Sequence, residues 1–388
     1  MRILIFTGWY PNGNNAVKGV FVREQVRALH KSGLEVALLY PFDEEIPSGK
    51  LGKSWEEGIR VYRAHSMALR NRYLARLYSY FVSWRLLRKL SDEFQPDLLH
   101  VHVGYPAAMI AYFFTRKHKI PYLITEHMSF LQDYVAKFRH RVLLRRAFEK
   151  AALVLPVSAA LAEQIRGFGW KTTLQVVPNV VDTERFSPGK ADREGRVGVK
   201  DRVNILFVGG LDETQVKGLQ FLLPAFAALV KETPARLRVL GDGMYRPRYE
   251  KQAEELDISG YCTFQGWVNP AAMPDYYRDC DFLVLSSLKE TFGCVLLEAM
   301  ACGKPVLATA CGGPQSIVKA GTGLLVAPGD VSALEQGLKE MVRRLSQFDS
   351  KFIRAHVERH YGSQALAEKL SGIYQEIAND SAKRYSYK

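Results

Sequence analysis

Short apolar runs recur along the chain, each closed by Gly, Pro, Asn or Ser and followed by a stretch whose apolar residues return at helical spacing. The first run, residues 2–6 (RILIF), reads as a buried strand. It leads into a loop containing Thr7, Gly8, Pro11, Asn12 and Gly13. A helix is predicted from near Phe21, with Phe21, Val22, Val26 and Leu29 on one face and Gly33 stopping it. A second strand over Glu35–Tyr40 completes a strand–helix–strand unit, which predicts a parallel sheet. Further strands are predicted at 98–103, 122–125, 153–157 and 174–177. Residues 187–202 (SPGKADREGRVGVKDR) have the composition of a linker. The same alternation then restarts, with strands at 204–208, 235–240, 262–264, 282–285 and 306–308. Helices are predicted near 218–231, 246–256, 270–278, 294–302 and 331–345, and a last one near 364–378 precedes a polar tail. The pattern predicts two doubly wound α/β domains, 1–190 and 203–360, facing each other across a cleft. Residues 361–388 are expected to form a helix crossing back to the first domain, and a tail. Ligands of such sheets bind beyond the carboxyl ends of the strands, so the loops there are where chemistry is sought.

Composition narrows the class. The 388 residues are 47% hydrophobic and 24% charged, which excludes collagen-like, mucin-like and disordered chains. The net charge of +13 is unevenly placed: residues 1–190 hold 28 Lys+Arg against 16 Asp+Glu, the remainder 25 against 24. An anionic partner for the first half, acidic lipid or nucleic acid, is therefore expected. The 5 cysteines all lie in the second half without a CxxC pair, which reads as buried thiols rather than disulfides or zinc ligands. The start MRILIF lacks the parts of an export signal, and the longest apolar stretch, near 105–114, is short of the ~20 residues that span a bilayer. A cytoplasmic protein, peripheral on the inner face of a membrane, is the expectation.

The most informative segment is ETFGCVLLE, Glu290 to Glu298. Glu290 falls on a loop after a predicted strand, and Glu298 falls about two helical turns later. Gly293 permits close backbone approach, bare helix N–H groups suit a diphosphate, and carboxylates suit sugar or ribose hydroxyls. Spacing alone equally admits a solvated glutamate and an ordinary helix start.

Glu290 and Glu298, with seven residues between them and followed by AMACGKPV, resemble the signature of retaining glycosyltransferase family 4, which has the GT-B fold. VPNVVD at 177–182 with Arg185, Phe186 and Pro188 is similar to that family's inter-domain motif. VGGL at 208–211 with Lys217 and Gly218 is similar to its phosphate loop. GDG at 241–243, FQG at 264–266, Gly312-Gly313, GLLVAPG at 323–329, GVFV at 19–22 and HVH at 100–102 follow in the family's order. The resemblance implies a GT-B fold of two Rossmann-like domains and transfer of a sugar from a nucleotide-sugar with retention of configuration. It implies that Glu290 touches the donor sugar and that Glu298 binds the ribose. It gives Lys217 to the diphosphate, whose charge a flexible cation neutralises as the glycosidic bond breaks. Gly19, Gly210 and Gly266, with Thr291, Phe292 and Gly293, complete the implied donor site. One departure stands out: Gly210 occupies the place where the family often has Arg, and Arg246 is the nearby candidate to substitute. Val180 also replaces a usual Gly. The DCD triplet at 279–281 precedes a strand, on the wrong end for the cleft, so Asp281 is expected to cap or pair locally. No metal site and no cofactor are expected, the nucleotide-sugar (UDP- or GDP-linked) being the substrate.

In the first half His102 and His127 follow two strands. A lone histidine is usually structural; two in equivalent loops are more suggestive. The resemblance makes His102 catalytic and lets His127 orient sugar or acceptor. Two basic stretches mix cations with aromatic residues. One carries Arg70, Arg72 and Arg76 and runs to Lys89; the other carries Arg145 and Arg146. Such helices suit an anionic membrane surface. No nucleic-acid recognition module accompanies them, so nucleic acid is not expected as a partner. The expected acceptor is a hydroxyl on a lipid-linked molecule or a saccharide, as in lipopolysaccharide, capsule, exopolysaccharide or glycolipid assembly. A nucleotide-sugar 2-epimerase-like isomerase of the same fold and a non-catalytic binding subunit are the alternatives.

Overall fold

The computed structural model describes residues 1–47, 50–65, 72–189 and 202–386, without side chains for 72–77 and 381–386. The chain forms two compact units, Met1–Val180 with Ser363–Lys388, and Val181–Gly362.

The first unit is built on β1 (Arg2–Thr7), α1 (Val20–Lys31), β2 (Glu35–Tyr40), β3 (Leu51–Glu56), β4 (Ile59–Ala64), α2 (Arg72–Phe94) and β5 (Leu98–His102). It continues with α3 (Met109–His118), β6 (Tyr122–Glu126), α4 (Leu131–Val135), α5 (Phe138–Lys150), β7 (Leu153–Pro156) and α6 (Ala159–Arg166). Among the described residues its sheet runs β3-β4-β2-β1-β5-β6-β7, parallel except for the β3–β4 hairpin at one edge. β1 and β5 are buried nearly throughout because helices cover both faces of a parallel sheet. Strand order reverses between β1 and β5, and the register aligns Thr7, His102 and Thr125 in one row near the carboxyl edge. The C-terminal helix Ser363–Ser386 packs in this unit; its buried Tyr374 hydroxyl lies 2.7 Å from His100 Nδ1, and Lys369 Nζ donates to Val176 O at 2.8 Å.

The second unit holds β8 (Val203–Val208), α7 (Leu219–Val230), β9 (Ala235–Leu240), α8 (Arg246–Glu255), β10 (Cys262–Gly266) and α9 (Met273–Asp279). Then come β11 (Phe282–Leu285), α10 (Cys294–Ala301), β12 (Val306–Thr309), α11 (Pro314–Ile317), β13 (Gly323–Val326), α12 (Val331–Arg343) and α13 (Ser350–Tyr361). Its sheet is parallel in the order β10-β9-β8-β11-β12-β13, reversing between β8 and β11. α7 buries Leu219, Leu222, Leu223, Phe226 and Leu229 against the sheet. Pro224 inside α7 cannot donate to the Gln220 carbonyl, and Gln252 Nε2 of α8 takes that place at 3.0 Å. α12 is closed at its start by Asp330, whose carboxylate accepts the Ala333 N–H at 3.0 Å.

Several elements depart from the sequence reading. Residues 174–177 are not a strand. Leu174 makes an isolated bridge to Val154, and Val177 donates to Pro156 O at 3.1 Å, but Pro156 has no N–H to return, so the ladder stops. The β3–β4 hairpin was not foreseen. Its strand β3 is half polar, and its turn places Glu57 and Gly58 at φ 52° and 83°. β13 and α13 were likewise unassigned, and the segment 270–278 begins as a single turn, Pro270–Ala272, before α9. Residues 190–201 of the expected linker lie outside the described residues. The stretch before them belongs to the second unit: Arg354 donates to Thr183 O at 3.0 Å and Phe186 O at 3.1 Å, and Arg278 to Ser187 O at 2.8 Å.

In each domain a glycine precedes a helix at a position where nothing larger fits. Gly218 precedes α7 at φ 70°, and a Cβ there would sit 1.9 Å from Ser286 O. Gly19 precedes α1 at φ 71°, with Trp9 O at 2.5 Å from the same position. Gly218→Ala is therefore expected to destabilise the protein by ~2 kcal/mol or more, from the positive φ and the backbone clash together. Gly260→Ala, where nothing lies within 4 Å, should stay within ~1 kcal/mol. Urea unfolding of the two variants tests the difference; equal midpoints would contradict it.

Candidate active site

At the carboxyl end of β11 the chain turns sharply over Ser286–Gly293. Ser286 Oγ donates to Lys217 O at 3.0 Å, and the Leu288 N–H donates to Val216 O at 2.7 Å. These bonds tie the loop after β11 to the loop after β8, across the point where strand order reverses. Glu290 then forms a parallel bridge to Gly312, with its carbonyl accepting the Gly313 N–H at 2.9 Å. The backbone around Glu290 is thus held from both sides. Its carboxylate receives Lys217 Nζ at 2.6 Å and Ser287 Oγ at 2.9 Å on the same oxygen. Lys217 and Glu290, assigned separate duties from sequence, are joined in one half-buried ion pair, with side chains 34% and 13% exposed. Thr291 is half-buried, Phe292 is buried, and Gly293 opens α10 at φ 101°.

Glu298 lies on α10, and its carboxylate accepts the Tyr277 hydroxyl at 2.5 Å. Burial, and next the Glu298 charge, push the Tyr277 phenol well above its ordinary range, so it remains a donor. Gly210 is exposed; the nearest atom to a Cβ there would be Asp212 Oδ2 at 3.7 Å. Arg246, the candidate substitute, is engaged with Glu250 at 2.7 Å and Phe264 O at 3.0 Å, and a Cβ at Gly266 would lie 2.8 Å from its guanidinium. It therefore flanks Gly266, bonded to α8 and β10. Asp281 accepts the Asn204 N–H at 2.8 Å, at the amino end of β8, away from this cluster.

The first domain gathers a second cluster. His100 and His102 project from the same face of β5, ring centres 4.2 Å apart. His102 Nδ1 is 3.1 Å from His127 Nε2, and His127 stacks on Phe21 at 4.3 Å. His102 Nε2 is buried and makes no hydrogen bond among the described residues. Burial pushes His102 down to about 3 and drives His100 and His127 well below the usual range, so all three rings are neutral and one of each bonded pair donates. Glu126 binds the loops after β5 and β6 together: Oε2 accepts the Gly104 N–H at 2.9 Å, and Oε1 those of His127 and Met128 at 2.8 Å. Burial raises its carboxyl to about 7, with the three N–H donors pulling the other way. Sequence reading missed the supporting roles of Glu126, His100, Tyr374, Tyr277 and Ser287. Glu126, next to His127, and His100, inside HVH at 100–102, carried a local signal; the others act through tertiary neighbours.

Arg70 lies outside the described residues, and the side chains of Arg72 and Arg76 on α2 are not described. Arg145 and Arg146 are exposed on α5, Arg145 paired with Glu149 at 2.9 Å. Among the described residues no helix is long and apolar enough to cross a membrane.

The chain is similar to known proteins in sequence and in fold. The description Glycosyltransferase Family 4 matches residues 19–185, and Glycosyl transferases group 1 matches residues 202–344. A D-inositol 3-phosphate glycosyltransferase of Corynebacterium urealyticum is 30% identical over 310 residues, 72% of this chain and 72% of the relative. The alpha-monoglucosyldiacylglycerol synthase of Streptococcus pneumoniae is 25% identical over 324 residues, 79% of this chain and 71% of the relative. HepE of Anabaena, solved in complex with UDP-glucose, shares the fold with a TM-score of 0.73 at 19% identity, covering 97% of this chain and all (100%) of that one. Two parallel-sheet α/β domains with these neighbours define a GT-B glycosyltransferase. The chain belongs to glycosyltransferase family 4.

The buried histidines and Glu126 set opposite pH dependences. The histidine values are depressed, so their contribution to stability is present above the unfolded value near 6.5 and is lost as pH falls below it. Glu126 is raised, so its contribution is present below the unfolded value of 4.5 and is lost as pH rises through about 7. Three groups against one leave the unfolded chain binding more protons near pH 5.5, a slope on the order of one to a few kcal/mol per pH unit. Melting should therefore fall from about pH 7.5 to about pH 5.5, and His127→Asn should reduce the fall. A melting temperature that rises on acidification would make Glu126 dominant and reverse this assignment.

Proposed function

We propose that this glycosyltransferase moves a sugar, with retention of configuration, from a UDP-sugar to a hydroxyl on a lipid-linked acceptor at an anionic membrane face. The observation that carries the reading is the Lys217–Glu290 pair at 2.6 Å, held at the carboxyl end of β11 beside the start of α10. A diphosphate brought to Lys217 replaces Glu290 as its counter-ion. The freed Glu290 carboxylate then accepts hydrogen bonds from donor-sugar hydroxyls. Glu298, held by Tyr277, is suited to accept two ribose hydroxyls. In the transfer step the bond between the anomeric carbon and the diphosphate oxygen breaks, its electron pair going to the phosphate. The acceptor oxygen bonds to the same face of that carbon, and its proton passes to the departing phosphate. Lys217 and backbone N–H groups, those near Gly210 and Gly293 among them, stabilise the charge that grows there. With an ammonium in this role the reaction needs no metal ion. His102 and His127, neutral and hydrogen-bonded to each other, are assigned to orienting hydroxyl groups rather than to carrying charge.

The choice of UDP is supported by the UDP-glucose complex of HepE, and the lipid acceptor by the name of the streptococcal relative together with the basic first domain. Calorimetric titration with UDP, GDP and ADP, with magnesium or with a chelator, tests the donor. UDP is expected to bind in both conditions, and Glu298→Ala to weaken it ~10- to 100-fold, the worth of charge-assisted hydrogen bonds. Lys217→Ala is expected to lower kcat by ~100- to 1,000-fold with a smaller change in KM. Failure of every nucleotide to bind, or an unchanged kcat in Lys217→Ala, would overturn the assignment.

A further inference from the structure

We infer that the face formed by α2, α3 and α5 of the first domain docks on an anionic lipid bilayer and seats one acyl chain in the groove between these helices. The inference rests on the membrane part of the proposed function and gives it a site. The groove has a volume of about 410 Å³, inside the ~300–1,000 Å³ range of small-molecule pockets. Among the described residues Tyr80, Phe81 and Trp84 of α2, Met109, Ile110 and Phe113 of α3, and Leu143 of α5 line it. Phe81 and Phe113 stay 55% and 51% exposed, and Phe138 at the start of α5 is 79% exposed. Isolated exposed apolar residues are common; a groove on which several converge marks an interaction site.

Charge identifies the occupant. A neighbouring concavity shares Phe81 and Trp84 and continues along α2 past Arg85, Arg88 and Lys89 to Asp92 and Glu93 at its far end. The Arg85 guanidinium lies 5.6 Å from the Phe81 ring, and Lys117 Nζ 5.4 Å from the Trp84 ring. Among the described residues the ion pairs on this face include Glu93 with Lys53 at 3.4 Å and with Lys89 at 4.0 Å, and Arg145 with Glu149 at 2.9 Å. Arg85, Arg88, Lys117, Arg141 and Arg146 face solvent. An apolar slot bordered by cations matches a lipid: the chain enters the slot, and anionic headgroups meet the rim. A second copy docked here about a two-fold axis would set this cationic face against itself, and like charges oppose that pairing.

Cosedimentation with phosphatidylglycerol vesicles, and separately with phosphatidylcholine vesicles, tests the surface. Phosphatidylglycerol should bind at least ~10-fold more tightly, since each Lys or Arg near an anionic surface adds several-fold. Phe81→Ser combined with Phe113→Ser should weaken that binding by ~10-fold or more. Arg85→Glu with Arg88→Glu should do the same, and all four positions are exposed, so melting should not change. Phosphatidylglycerol brominated on its acyl chains should quench Trp84, and Trp84→Phe should lose the quenched component, which separates chain seating from headgroup attraction. Equal binding of the two lipids, serine variants that bind like the parent, or an unquenched Trp84 would overturn the proposal. So would serine variants that change a dimer to a monomer in light scattering while binding vesicles normally, since the groove would then belong to a second copy. Nucleotide titration reads the donor site independently. Its failure would sink the transfer reading and leave the vesicle result standing.

Discussion

Parallel strands cannot be joined by a tight turn. Each strand must hand the chain to a crossover, so the loops that leave the strands all collect along one edge of the sheet. The site depends on that constraint. The chain leaves β8 into the loop that bears Lys217 and leaves β11 into the loop that bears Glu290. Because β8 and β11 are hydrogen-bonded neighbours whose crossovers run opposite ways, a crevice opens between those loops. Gly218 and Ser286 close it to backbone contact, and the Lys217–Glu290 pair is formed above that contact. In the first domain the order reverses between β1 and β5, and the loops after β5 and its neighbour β6 meet at the same carboxyl edge, with Glu126 bonded to both.

Both clusters solve one electrostatic problem in different ways. Polar groups placed at the end of a buried sheet lose water and need partners. In the second domain the partners are opposite charges left partly exposed, so the pair can be reopened by an incoming anion at modest cost. In the first domain the partners are neutral rings and backbone N–H groups. His100 bonds Thr125 and Tyr374, His102 bonds His127, and deep burial keeps the three histidines uncharged. The first arrangement is suited to exchanging ions and the second to holding hydroxyl groups in place.

The surface of the first domain follows another rule. α2, α3 and α5 each bury one face on the sheet, yet they keep aromatic residues on the outer side around a dry groove. A helix that faced only water would not need them. On the reading proposed above, apolar and cationic residues on one exposed face meet two solvents at once, hydrocarbon and headgroup, which neither a folded core nor bulk water presents together.

What the sequence by itself determined was local. Apolar runs such as 2–6 and 282–285 became strands because a parallel sheet buries both faces, and helix starts fell at Gly19, Gly218 and Gly293 because only glycine accepts those backbone angles without strain. The motif around Glu290 and Glu298 was legible because its residues sit within a few turns of one another. The β3–β4 hairpin escaped because an edge strand with a wet face has too little hydrophobic pattern, and 174–177 misled because apolar pattern cannot reveal a missing N–H on a neighbouring proline. Only the tertiary structure decided the partners: Lys217 with Glu290, Tyr277 with Glu298, Tyr374 with His100 across 274 positions of chain. Hydrogen bonds and ion pairs act over a few ångströms in space, and sequence separation says nothing about which distant groups the fold will bring within that range.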